Sequence, residues 1–269
     1  MDILGLIIVF CAVGGLLSVL AAGFFLLLPD QQRNAVLPHG ISFAIGALLA
    51  VAFLGLIPEA FADVPPAHFQ SLSGTILAGI LSFFVLEKLL IWRHCHYGGC
   101  EAHGDDHSHE SGHSHGHGVK AAGTLIIIGD GIHNFVDGIL IAAAFLTDVQ
   151  LGIVTSLAVA THEIPQELGD FAILLNSGYA KNKALLYNVL ASLTTIVGGV
   201  LAYFSLEDLH DYLPYFLALA ASSFIYIAVA DLIPSLHKKT DTKTSLQQIA
   251  LIAAGVILIG GLHKFVHDL

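Results

Sequence analysis

Charge is what this chain has least of. Of 269 residues only 12% are Asp, Glu, Lys or Arg, about half the share carried by a soluble domain. A water-soluble globular fold is therefore excluded, and most of the chain belongs in hydrocarbon. Cysteine is almost as scarce: Cys11, Cys95 and Cys100 are the three, which leaves no disulfide framework. No small-residue cleavage site follows the first apolar run before Pro29, so that run reads as a retained helix and not as a signal peptide. Long polar stretches are missing too, save one, and there is no room for a separate soluble domain. Nothing in the charge pattern points to nucleic acid.

What is there is apolar: 55% of the residues are hydrophobic and the mean hydropathy is +0.79. A helix needs about 20 apolar residues to cross a bilayer. Eight such runs lie near 3–28, 37–62, 71–93, 120–146, 149–176, 183–206, 212–236 and 246–267. The expected fold is an all-α polytopic membrane protein, one transmembrane domain over residues 1–269. Orientation follows from the basic residues. Arg33, Lys88, Arg93, Lys120, Lys181, Lys183, Lys238, Lys239 and Lys243, nine of the ten, fall on the odd-numbered connections. The even-numbered ones carry Asp63, Asp148, Glu207, Asp208 and Asp211. Both termini should then face away from the cytoplasm, in a plasma membrane or cell inner membrane, with an organelle membrane as the alternative.

Two helices carry polar groups where hydrocarbon should be. In the fourth, Asp130, His133, Asn134 and Asp137 stand at offsets 0, 3, 4 and 7 and share one face. In the fifth, His162, Glu163, Gln166, Glu167 and Asp170 at offsets 0, 1, 4, 5 and 8 do the same. Such groups are costly in a membrane unless paired, and a divalent cation can pair with all of them at once. Pro165 cannot give the Thr161 carbonyl its hydrogen bond, so the fifth helix should bend there. Running in opposite directions, the two helices bring His133 and His162 to similar depth. Asp130 and Asp170 mark either an inner path for the cation or local pairing.

Elsewhere the signals are thinner. Leu-Ile-Pro recurs at 56–58 in the second helix and 232–234 in the seventh. Those helices cross in opposite directions, so helices one to three and six to eight are expected to be inverted halves around helices four and five, as in many secondary transporters. Glu59, beside the first of these prolines, is either a headgroup-level acid or the mouth of a cation path; Asp231 stands beside the second. Between helices three and four, residues 94–118 hold His94, Cys95, His96, Cys100, His103, His107, His109, His113, His115 and His117. That composition cannot build a core and reads as a disordered cytoplasmic loop that captures Zn²⁺ weakly at several places.

At HNFVDG (133–138) and HEIPQELGDFAILL (162–175) the chain resembles the ZIP (Zrt/Irt-like) family of metal transporters, in particular its HExPHE subgroup. The resemblance extends to the eight spans, the His-rich loop and the Leu-Ile-Pro-Glu segment. It implies transport of Zn²⁺, or of Fe²⁺, Mn²⁺ or Cd²⁺, toward the cytosol. It also implies a binuclear centre. His133, Asp137, His162 and Gln166 correspond to one metal position; Asn134 and Glu163, with Asp137 and Gln166 again, correspond to the adjoining one. Glu167 belongs to the same motif. The departures are Gln166, where the subgroup usually has histidine, and Gly55, where relatives often have histidine before Leu-Ile-Pro-Glu. An amide oxygen is a harder ligand than imidazole and should move preference toward Fe²⁺ or Mn²⁺. No prosthetic group is expected. The expected partners are the metal ion, the bilayer and, left open, a second copy of the chain. Two rival readings remain. One is an intramembrane zinc protease built on the HExxH-like string at 162–166, which Gln166 and Pro165 interrupt. The other is a metal sensor that binds without transport.

Overall fold

In the computed structural model, which describes residues 2–25, 27, 29–62, 64–97, 116–206, 210–237 and 242–267, every long element is a helix. They are α1 (Ile3–Phe25), α2 (Asp30–Ala50, a π turn at Val51–Leu56, then Ile57–Ala62), α3 (Phe69–Tyr97) and α4 (Gly116–Thr147). There follow α5 (Val149–Asn176), α6 (Lys181–Leu206), α7 (Leu213–Tyr226, a π turn at Ile227–Leu232, then Ile233–Leu236) and α8 (Thr242–His267). Seven of the eight are long and apolar enough to cross a membrane, and α5 is the exception. Its polar face lowers its hydropathy, and its neighbours in the bundle cover that face.

Several helices outrun their apolar segments. The start of α2 is Asp30 and not residue 37, because DQQRN at 30–34 continues the helix. Hydropathy marks where hydrocarbon ends, whereas backbone hydrogen bonding carries on past it. For the same reason the expected loop at 94–118 is helical at both edges, in α3 to Tyr97 and in α4 from Gly116. Cys100, His103, His107, His109, His113 and His115 lie outside the described residues, and at His94, Cys95, His96 and His117 only the helical backbone is described.

Packing sorts the helices into two bodies. One holds α4 on α6, α1 on both α5 and α6, and α4 on α5; the other holds α8 on α2 and α3 on α7, with α2 crossing α7. The pairs match under exchange of α1 with α6, α2 with α7, α3 with α8 and α4 with α5. That is the order inverted halves require. Small residues permit the close pairs. On α4, a Cβ at Gly138 would run into the Thr195 carbonyl, and on α6, one at Gly198 would run into the Phe135 carbonyl. The two backbones interlock reciprocally there.

The Leu-Ile-Pro repeat has a structural counterpart that a three-residue match does not foretell. The π turns span 51–56 and 227–232, so each ends on the leucine of its Leu-Ile-Pro. Burial follows the same register: Val51, Ala52 and Ala60 are buried, as are Ile227, Ala228 and Leu236.

Candidate metal centre

One residue joins α4 to α5. Asp148 caps α5, its side chain accepting a hydrogen bond from the Leu151 amide at 2.8 Å. So short a turn makes α4 and α5 an antiparallel hairpin. His133 lies 15 residues before Asp148 and His162 lies 14 after it. At a rise of 1.5 Å per residue both histidines stand about 21 Å from the turn, near mid-membrane for a turn at headgroup level.

There the two polar faces meet. The Nε2 atoms of His133 and His162 are 3.4 Å apart, with the rings nearly perpendicular at 83°. Asp137 Oδ2 is 3.3 Å from His162 Nε2 and 3.7 Å from His133 Nε2. Glu163 Oε1 is 3.5 Å from His133 Nε2 and 3.6 Å from His162 Nε2. One ligand atom from each of the four residues falls within 4.8 Å of all the others. The edges of a tetrahedron with metal–ligand bonds of 2.0–2.2 Å are about 3.3–3.6 Å long. Five of the six separations in this group sit at or beside that length.

Hydrogen bonding shows what the group lacks. Asp137 and Glu163 are buried, and none of their four carboxylate oxygens has a hydrogen-bond partner. The Nδ1–H of His162 donates to the Ala158 carbonyl at 3.2 Å. That bond fixes the tautomer and leaves the Nε2 lone pair pointing at Asp137 and Glu163. The Phe224 ring of α7 lies 6.2 Å from the His162 ring and closes one side. Two imidazoles and two carboxylates converging on one point are ligand types that a single cation can share.

The other sequence candidates sit around this group in different ways. Asn134 is buried but already engaged: its amide donates to Asp130 Oδ1 at 2.9 Å, and its oxygen accepts from the Thr195 hydroxyl at 2.8 Å. Gln166 is half-buried one turn beyond His162. Glu167 is buried with both carboxylate oxygens unpartnered, and Asn188 of α6 donates to its backbone carbonyl at 3.2 Å. Asp130, Glu163, Glu167 and Asp170 are near enough for their charges to interact. Asp231, exposed on the π turn of α7, lies within electrostatic reach of both histidines. Glu59 stands apart on the last segment of α2.

Pattern reading overlooked the Ala158 carbonyl that orients His162 and Phe224 on a helix distant in sequence, and it left Thr195 open between a polar path and packing, where the structure makes it the partner of Asn134. A hydroxyl at 195 was visible, but nothing in an apolar α6 said which way it faced. Pro165 lies inside a continuous α5.

Relatives carry the same span of sequence. Zinc transporter ZIP13 of Pongo abelii is 32% identical over 275 residues, covering 93% of this chain and 76% of that protein. Zinc transporter zipt-7.2 of Caenorhabditis elegans is 32% identical over 305 residues, covering 92% of this chain and 64% of that protein. Zinc transporter ZIP4 of Homo sapiens is 30% identical over 313 residues, covering 95% of this chain but 46% of that protein. The family described as ZIP Zinc transporter matches residues 2–263. That match runs through all eight helices and both polar faces, and on it the chain belongs to the ZIP zinc transporter family.

Proposed function

We propose that the chain carries a divalent transition-metal ion, Zn²⁺ first, with Fe²⁺, Mn²⁺ and Cd²⁺ as the neighbouring choices, across a membrane toward the cytoplasm. His133, Asp137, His162 and Glu163 hold it midway. The observation behind this reading is the tetrahedral spacing of two imidazoles and two unpartnered carboxylates in a buried site. Two nitrogen and two oxygen ligands suit zinc and its neighbours better than Ca²⁺ or Mg²⁺, which prefer oxygen alone. The second oxygens of Asp137 and Glu163 are also free to bridge. With Asn134, Gln166 and Glu167 beside them, they supply an adjoining position for a second ion.

The ion arrives hydrated and exchanges its waters for these four ligands. It leaves past Asp130, Glu167, Asp170 and Asp231 toward the side that carries nine of the ten basic residues. The packing supports a reading of alternating access in which α1, α4, α5 and α6 shift as one body against α2, α3, α7 and α8. That assigns α1 and α6 to the part that carries the site, where only α4 and α5 stand out by sequence. The protease reading loses its second imidazole at Gln166, and the sensor reading predicts binding without flux.

Flux into proteoliposomes, measured metal by metal for the wild type, His133→Ala and Asp137→Ala, tests the assignment. Both variants should lose uptake while remaining folded. Wild-type uptake by either would remove these residues from the path. A peptide-cleavage assay with Zn²⁺ on the same preparations should stay blank.

A further inference from the structure

We infer that the two π turns are where water enters the pathway from opposite faces of the membrane, with the backbone carbonyls of Phe53 and Val229 as the oxygens that meet it and the hydrated cation. The inference rests on the transport reading above but on different residues.

In α2 the Ile57 amide donates to the Ala52 carbonyl, five residues back. The next residue, Pro58, has no N–H to give. The Phe53 carbonyl therefore has neither its i+4 nor its i+5 donor. In α7 the Ile233 amide donates to the Ala228 carbonyl, and Pro234 follows. The Val229 carbonyl is left in the same condition, 176 residues after Phe53. Side-chain donors to backbone carbonyls among the described residues of α2 and α7 go elsewhere: Ser42 to Pro38, Ser222 to Leu219, Ser235 to Leu232 and Gln248 of α8 to Leu236.

An unpaired carbonyl at membrane depth is tolerated when protein buries it or when it lines water, and lipid satisfies neither condition. Neither residue is enclosed by protein: Phe53 is 54% and Val229 51% exposed, while Ala52 and Ala228 directly before them are fully buried. A water-lined surface supplies the partner that lipid cannot. A carbonyl oxygen facing water can also replace one hydration water of a divalent ion, a suitable first step before the tighter ligands.

Their places fit an entrance and an exit. Val229 follows Phe224, whose ring lies against His162, by about one and a half helical turns. Asp231 is exposed on the same π turn. Gly55, two residues beyond Phe53, sits below Leu151 in the first turn of α5, at the opposite end of that helix from Asp170. Since α2 and α7 cross in opposite directions, one turn opens toward each side, and the site lies between them.

The test is thiol labelling in a chain whose Cys11, Cys95 and Cys100 are replaced by serine and which is reconstituted in one orientation. Phe53→Cys and Val229→Cys are treated with a membrane-impermeant methanethiosulfonate from each side in turn. Leu81→Cys and Leu201→Cys, at positions 54% and 52% exposed on helices α3 and α6, report the lipid-facing rate. Only thiolate reacts, and thiolate needs water, so the two π-turn cysteines should label at least about tenfold faster than the controls, each from its own side. Leu54→Cys and Ala230→Cys, the next residues along, serve where the first substitutions disturb folding. Control-like rates, or labelling of both from one face, would overturn the inference. Labelling requires no flux: labelled cysteines in a chain that moves no metal would sink the transport reading alone, and flux with unlabelled cysteines would sink this one alone.

Discussion

Replacing Asp137 by asparagine separates a metal site from a structural network more sharply than deletion does, because size and shape are kept and only charge is lost. Asp137 and Glu163 each place a carboxylate oxygen in a group no wider than 4.8 Å, and the side chains facing them there are the imidazoles of His133 and His162. At an effective dielectric constant of about 20, two unit charges 4.8 Å apart repel by about 3.5 kcal/mol. Asp137→Asn relieves that repulsion but also gives up the carboxylate's contacts with the His133 and His162 imidazoles at 3.7 and 3.3 Å, so the metal-free protein should melt close to the wild type. A divalent ion loses at least as much attraction, which should weaken its binding by about 100-fold or more. The stabilisation conferred by added Zn²⁺, which scales with the logarithm of its concentration over Kd, should shrink accordingly. Thermal melts in detergent with and without Zn²⁺, beside flux on the same protein, read all three. A variant that melts lower than wild type without metal, yet keeps its full Zn²⁺-induced shift, would show that Asp137 serves packing and that the reasoning here is wrong.

Gln166→His places a third imidazole one turn from His162, and competition flux should then favour Zn²⁺ over Fe²⁺ or Mn²⁺ relative to the wild type; an unchanged ranking removes Gln166 from selectivity. Metal ligands must be deprotonated, so uptake should weaken as the medium is acidified and protons compete for the imidazoles and carboxylates. A flux that rises steadily below about pH 6 at constant free metal would instead call for proton coupling. Gly138→Ala pushes a methyl into the Thr195 carbonyl on α6, where backbone stands in the way. It should lower the yield of monodisperse protein on size exclusion, whereas Gly169→Ala, with open space around it, should not.

The spans were legible because a bilayer imposes one length scale on every apolar run, and the metal group was legible because polar residues in hydrocarbon are conspicuous at helical spacing. The two polar faces that carry His133, Asp137, His162 and Glu163 could be named from those two facts and from the antiparallel pairing of neighbouring helices, while the ligand set was what the family resemblance implied. What stayed hidden concerns direction. An apolar helix such as α1 or α6 is apolar on every side, so nothing in its residues told that it packs with α4 and α5 and not with α2 and α3. The π turns were equally obscure, since Pro58 and Pro234 announce a lost hydrogen bond but not the shift from i+4 to i+5 pairing before it. Asn134 illustrates the remaining gap: its spacing placed it beside the metal group, but only the structure gives it Asp130 on one side and Thr195 on the other.

The modest hydropathy of α5 bears on how the molecule is made. Of the eight segments it alone falls short of the length and apolarity expected of a membrane-crossing helix, so its polar face should hinder its own insertion. During synthesis α4 and α1 precede it and can offer a protein-lined berth, while α6 arrives afterward to cover Glu167. Biogenesis of the α4–α5 hairpin is thereby tied to the helices packed against it, and a nascent chain halted after α5 should still slip back toward the aqueous side.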